Sequence, residues 1–163
     1  MVLFLKAYTI MIEEIARLLK EKKLTISTAE SCTGGLLAHM LTNVPGSSEY
    51  YKGGIIAYSN EAKICILHVR RATMEKYGAV SEQTAYEMAD GAKRKFDTDF
   101  AISTTGVAGP TESEKKPVGL VYIGFANPYG IEVKKYKFEG DRLQNKQQFA
   151  NAALKILLDF LIK

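Results

Sequence analysis

Thr28-Ala29-Glu30-Ser31-Cys32-Thr33-Gly34-Gly35 stands where a β-branched run, Leu24 to Thr28, hands over to a helical pattern carried by Leu36, Leu37, Met40 and Leu41. The apolar spacing changes there from that of a strand to that of a helix, and a strand feeding directly into a helix is the unit of α/β folds. Two hydroxyls, a thiol and two glycines crowd the first turn of this helix. The unpaired N–H groups and positive dipole end of a helix start suit an anion, a phosphate or a developing oxyanion, so Ser31 is the first candidate for chemistry. The same residues read equally as an ordinary helix start, with Ser31 or Thr28 as N-cap and the glycines admitting close packing.

Upstream of this junction, Met11, Ile15 and Leu18 lie beside Ile12, Ala16 and Leu19 on adjacent helical rows, which predicts an amphipathic helix over Tyr8 to Lys22. Downstream, Val44-Pro45-Gly46-Ser47-Ser48 forms a loop, Gly54 to Ser59 reads as a second, largely buried strand, and Asn60 caps a helix through Leu67. Ser81 is placed to N-cap a helix running to Phe96 on Ala85, Met88, Ala89 and Ala92. Phe100-Ala101-Ile102 begins a strand that enters the loop Thr104 to Pro110. Val118 to Phe125 and Ile131 to Phe138 form a hairpin across Asn127-Pro128-Tyr129-Gly130, and Asp141 caps a last helix bearing Phe149, Ala153, Ile156, Leu157 and Phe160. This order predicts an α/β layered domain with a mixed sheet, residues 1–163 forming one domain.

Apolar residues at 47% and charged residues at 25% match ordinary globular proteins and disfavour disorder. The net charge of +4 is mild and its basic pairs, such as Lys22-Lys23 and Lys134-Lys135, are interspersed with acids, so no nucleic-acid partner is expected. Cys32 and Cys65 have neither CxxC spacing nor a histidine cluster, which argues against a metal site or a disulfide and fits a reducing cytoplasm. Met1 to Leu5 is too short for a signal-peptide core, and no stretch is long enough for a membrane span.

Ligands of such sheets gather beyond the carboxyl ends of the strands, where the Ser31 turn, the Ser59-Asn60 turn and the Thr105-Gly106 loop all fall. The spacing fits neither a Walker A loop nor a G-x-S-x-G elbow. His39 follows Ser31 by eight residues, about 12 Å of helical rise, which is too far for a base. His39 and His68 are expected at the surface or as satisfied core residues. Lysine can serve as the base where burial lowers its proton affinity, and Lys63 falls in the first turn after the second strand, close to Tyr58. The simpler reading of Lys63 is an exposed helix lysine.

Seven motifs occur in order: Thr28 to Gly35, Gly46-Ser47-Ser48, Tyr58 to Lys63, Gly78-Ala79-Val80-Ser81, Thr105 to Pro110, Lys116-Pro117-Val118-Gly119 and Gly140-Asp141-Arg142. In this the chain resembles the C-terminal domain family of competence/damage-inducible protein CinA, over nearly its whole length. The resemblance implies a three-layer α/β/α fold with a mostly parallel mixed sheet, homo-oligomers, and no metal or other cofactor. It implies a nicotinamide-nucleotide amidase, which hydrolyses nicotinamide mononucleotide to nicotinic acid mononucleotide and ammonia in pyridine-nucleotide salvage. The other readings are a catalytically silent protein-interaction module and an amidase acting on another nucleotide-like carboxamide. On the resemblance Ser31 is the nucleophile and Lys63 its base, with Tyr58 assisting. The oxyanion then falls to the N–H groups of Cys32, Thr33 and Gly34. Phosphate falls to the loop of Thr105, Gly106 and Gly109 with Arg142 or Lys146. Two departures stand out: Thr111 to Lys115 replaces a longer, glycine-paired loop, and Lys146 stands where arginine is common. Glu112 or Glu114 in the short loop is expected to repel a phosphorylated substrate.

Overall fold

The computed structural model describes the backbone from Val2 and the side chains from Thr9 onward, so the apolar run at Met1 to Leu5 and the Tyr8 side chain lie outside the described residues. The elements in chain order are α1 (Val2–Glu21), β1 (Ile26–Glu30), α2 (Leu36–Thr42), β2 (Tyr51–Ile56), α3 (Asn60–Leu67), α4 (Arg71–Tyr77), α5 (Glu82–Phe96), β3 (Phe100–Gly106), β4 (Leu120–Asn127), β5 (Gly130–Lys137) and α6 (Arg142–Leu161). The five strands form one sheet in the order β2-β1-β3-β4-β5. β1 pairs in parallel with both β2 and β3, while β4 runs against β3 and β5 returns against β4. Every strand except β4 therefore points the same way, and the carboxyl ends of β1, β2 and β3 meet at one edge of the sheet.

Alternation along β1 and β3 divides the core. Ile26, Phe100 and Ile102 face α1, α2 and α6, with Leu19, Leu37, Met40, Phe149 and Leu157 in the same cluster. Ala29 and Ala101 face the other layer, where Met88, Ala89 and Ala92 of α5 meet Leu67 of α3. The result is the three-layer α/β/α arrangement. Small residues on β1 and β3 are what let α5 lie close to the sheet. The close fit extends between helices: a Cβ at Gly91 of α5 would stand 2.1 Å from the Leu67 carbonyl oxygen, so only glycine lets α3 dock there backbone to backbone.

The chain's caps follow local chemistry. Ser81 accepts from the Thr84 N–H, and Asp141 with Gln144 forms a capping box at α6. At α3 the cap is Ser59, accepting from the Ala62 N–H at 3.1 Å, and Asn60 is the first helical residue rather than the cap. The second strand also differs from expectation. It begins at Tyr51 and ends at Ile56, and as an edge strand it alternates between half-buried and exposed positions instead of being largely buried. Gly53 and Gly54 hid its true start, since they carry no side chain to show a period of two. α4 carries no apolar periodicity, and only Thr73 of it is buried. No helix among the described residues is long and apolar enough to cross a membrane.

Candidate active site

β1 lies between β2 and β3, and the connections leaving its two sides carry helices on opposite faces, which is the switch-point geometry where α/β sheets open a crevice. A cavity of about 500 Å³ occupies that place. Ser31, Cys32, Tyr58, Lys63, Thr105, Gly106, Gly109 and Arg142 all line it, so three separated turns and the start of α6 converge as the strand order allows. Thr33, Gly34 and Lys146 lie outside this lining.

The backbone donors of the Ser31 turn can be followed one by one. Ser31 N–H donates to the Thr104 carbonyl at 2.9 Å, Gly34 N–H to the Ser31 carbonyl at 3.1 Å, and Leu36 N–H to the Thr33 carbonyl at 3.2 Å. Gly35 and Leu37 N–H both donate to Glu30 Oε2 at 3.0 Å, and Ala38 N–H donates to Glu30 Oε1 at 2.8 Å. Among the described residues, only Cys32 and Thr33 of this run have N–H groups with no acceptor on another residue. The amino end of α2 is thus already filled by the chain's own Glu30 carboxylate and is not open to a phosphate. Gly34, expected as an oxyanion donor, has spent its N–H within the turn.

Lys63 is the decisive side chain. It is 1% exposed, and its Nζ donates to the Ala57 carbonyl at 2.9 Å and the Tyr58 carbonyl at 3.2 Å. Burial pushes its proton affinity below that of a free lysine, with the charge of Glu114 opposing that shift. A neutral amine has two N–H bonds and one lone pair; two carbonyls take the two protons, and the lone pair is left for a third partner. Burial also pushes the Cys32 thiol up to about 12, against the hydrogen bond from Thr104, so Cys32 stays protonated. Ser31 and Cys32 both line the cavity that Lys63 borders.

Tyr58 contributes to Lys63 through its carbonyl and not through its phenol. The ring is 60% exposed, and its hydroxyl accepts from Arg142 Nη2 at 2.9 Å. Arg142 also donates to the Gly109 carbonyl, bridging the cavity mouth, and no carboxylate pairs with it among the described residues. Asn145, fully buried one turn further along α6, donates to the carbonyls of Ala108 and Gly140 and fixes the same loop. Thr105 donates its hydroxyl to the Ala79 carbonyl at 2.7 Å. Lys146 stands over the turn, its Nζ 3.4 Å from where a Cβ of Gly34 would be, with no ion pair among the described residues.

The short loop borders the cavity through Thr111 to Glu114. Glu114 does not present a free charge there. Its carboxylate accepts from the Ala79 and Val80 N–H groups, both at 3.1 Å, with Lys116 Nζ 3.9 Å away, and Lys116 donates to the Tyr77 and Val80 carbonyls. Gly78, at φ 80°, makes room: a Cβ there would stand 2.5 Å from Glu114 Oε2. The carboxylate is a clasp that holds the cavity wall, and among the described residues only Glu112 keeps an unpaired negative charge at the lining. His39 and His68 are both exposed. No group of three His, Cys, Asp or Glu among the described residues is placed to hold a metal.

Glu30, Asn145 and Glu114 were not singled out for these roles by the sequence. Glu30 lies inside the quoted stretch, but its distance from the helix it caps matches no capping pattern. Asn145 sits in a polar run, Arg142 to Gln148, that gives no sign of burial.

The fold and site define a three-layer α/β protein with a polar crevice at the carboxyl ends of its parallel strands. The CinA C-terminal domain profile matches residues 9–161, and the chain belongs to that family. A CinA-like protein of Desulforapulum autotrophicum is 56% identical over 144 residues, covering 87% of this chain and 34% of that protein. A putative competence-damage inducible protein of Caldicellulosiruptor bescii is 53% identical over 146 residues, covering 89% of this chain and 36% of that one. The chain thus spans about a third of the length of the curated relatives it matches. Among solved structures, a CinA superfamily protein from Klebsiella pneumoniae superposes with a TM-score of 0.92 at 33% identity, covering 95% of this chain and 98% of that one. The competence/damage inducible protein CihA from Agrobacterium tumefaciens gives a TM-score of 0.88 at 36% identity, covering 96% of each chain.

Proposed function

We propose that the protein is an amidohydrolase that converts nicotinamide mononucleotide to nicotinic acid mononucleotide and ammonia. The observation that carries this reading is Lys63: a buried amine, depressed in proton affinity, with two backbone carbonyls taking its N–H groups, on the same cavity as Ser31. In the first step the Lys63 lone pair takes the Ser31 hydroxyl proton as Oγ bonds to the carboxamide carbon. The oxyanion is met by the free N–H groups of Cys32 and Thr33, fixed dipoles of a kind worth ~3–4 kcal/mol where one is a key donor. Collapse breaks the C–N bond, and the Lys63 ammonium returns its proton to the departing ammonia. Water, deprotonated by Lys63, then opens the acyl-serine to the acid.

Among the described residues Arg142 is held by neutral partners and Lys146 has no ion pair, and these two supply the positive charge for the phosphate. Tyr58 acts by orienting Arg142. The chemistry calls on no metal or organic cofactor, and the nucleotide substrate belongs to the cytoplasm. Measuring ammonia release from nicotinamide mononucleotide tests the reading. Turnover that disappears in Ser31→Ala supports it, and a parent protein inert towards this substrate rejects it.

A further inference from the structure

Beside the Ser31 turn, the buried carboxylate of Glu30 has no part in the chemistry above. Glu30 is 1% exposed, and its carboxylate receives four donors: the Thr33 hydroxyl at 2.6 Å and the N–H groups of Gly35, Leu37 and Ala38. A buried carboxylate is costly unless its lone pairs are filled, and here each oxygen is hydrogen-bonded. The arrangement is more specific than helix capping requires. The Glu30 backbone carbonyl accepts the Ala57 N–H at 2.8 Å, and the Ala57 carbonyl in turn accepts from Lys63. The Thr33 hydroxyl also shares a 2.7 Å hydrogen bond with Thr104, whose carbonyl accepts the Ser31 N–H. Glu30 is therefore bonded to both sides of the nucleophile's turn and, through one peptide, to the residue that holds the amine.

The geometry points to Glu30 as the positioning residue of the Ser31 turn: by binding the donors of Thr33, Gly35, Leu37 and Ala38, it fixes the turn in the one shape that leaves the Cys32 and Thr33 N–H groups free beside Ser31. An amide in its place keeps the size but brings two N–H donors into a site that offers only donors. One face of the turn must then rotate away, and the free N–H pair moves with it. A displacement on the order of 1 Å at a reacting centre costs about 100-fold in rate. The loss falls on the chemical step, because Glu30 does not line the cavity where the rest of the substrate is held.

This inference rests on the proposed amidase reading only for its substrate assay. Its test compares Glu30→Gln with the parent and with Met40→Ala, a buried α2 core variant beyond the residues that bind Glu30. Two rates are read: ammonia release from nicotinamide mononucleotide, and covalent labelling of Ser31 by a fluorophosphonate, which needs an activated serine and oxyanion donors but no nucleotide. Glu30→Gln is expected to lose about 100-fold in kcat with KM within threefold. Labelling should slow by at least about 30-fold and the pH midpoint of the rate should stay put, since Lys63 is untouched. Met40→Ala, at equal or greater loss of thermal stability, keeps both rates within threefold of the parent. Rates in Glu30→Gln within threefold of the parent, or an equal fall in Met40→Ala, overturn the assignment. Should Glu30→Gln fail to fold, Thr33→Val removes one of the four donors from the carboxylate. Labelling slowed about tenfold in that variant upholds the role, and unchanged labelling overturns it. A parent that is labelled yet inert towards nicotinamide mononucleotide rejects the substrate reading alone, and the labelling comparison still decides the role of Glu30.

Discussion

Lys63→Arg separates a base from a structural cation. Guanidinium stays protonated at every accessible pH and has no lone pair to offer, so it cannot take the Ser31 proton. Removing a general base costs ~10²–10⁴-fold, about 2.7–5.5 kcal/mol of barrier. The structural penalty is set by the pocket. Lys63 is 1% exposed and held by two carbonyls, at 2.9 and 3.2 Å. Lys63→Met loses those two bonds, each worth ~0.5–1.5 kcal/mol net, and no longer has to desolvate an amine. Its stability should therefore fall by no more than about 1–3 kcal/mol, leaving a folded protein at 25 °C.

The assay is ammonia release from pH 6 to 10, with folding checked by circular dichroism. The active form of Lys63 is neutral, so the parent's rate rises with pH and levels off above a midpoint below the ~10.4 of free lysine, while Lys63→Arg and Lys63→Met stay low and flat. The same shift governs stability. The folded value lies below the unfolded one, so between the two the unfolded chain binds more protons, and stability rises with pH by up to about 1.4 kcal/mol per unit. Urea titrations of parent and Lys63→Met should diverge with that sign as pH rises towards 10.4. An arginine variant within tenfold of the parent, or parent and methionine variants with the same pH dependence of stability, would refute the reasoning.

Ser31→Ala should fold normally and lose ~10³-fold or more in kcat, whereas Cys32→Ala keeps most of its activity because its thiol is pushed up to about 12; steady-state kinetics on both variants checks this. Glu114→Gln removes a charge that favours the Lys63 ammonium, so the midpoint of the pH–rate curve should move to lower pH, and a midpoint moving up would contradict the clasp geometry. Glu112→Gln should lower KM for nicotinamide mononucleotide by about two- to fivefold at low salt with kcat unchanged, since only this carboxylate of the short loop remains unpaired at the lining. An effect that persists in 0.5 M salt would mean that Glu112 acts by something other than exposed charge.

The parts of the fold read correctly from sequence are those whose cause is local. Ser81, Asp141 and the two-residue turn at Pro128-Tyr129 carry their own chemistry, and α5 declares itself through Ala85, Met88, Ala89 and Ala92 because one face of it meets the sheet. β2 was misplaced because the glycines at 53 and 54 are there for the sake of neighbours: Cβ atoms would meet the Phe96 ring at 2.3 Å and Thr28 Oγ1 at 2.2 Å. Such a reason belongs to the partner strand and helix, and it leaves no trace in the run itself. The site divides in the same way. Ser31 could be found because hydroxyl, glycine and helix start are adjacent in the chain, and the turns at Ser59 and Thr105 because each follows a strand. The burial of Lys63 could not be found, since it depends on α3 docking against Gly91. Glu30 lay beyond reach for a further reason. Capping patterns describe a side chain at a helix end bonding two or three residues ahead, within one turn. Glu30 is the last residue of a strand, and its donors begin at Thr33 and end at Ala38. That reach exists only because the Ser31 turn folds back over the carboxylate, so the group that shapes the turn becomes recognisable once the turn is already formed.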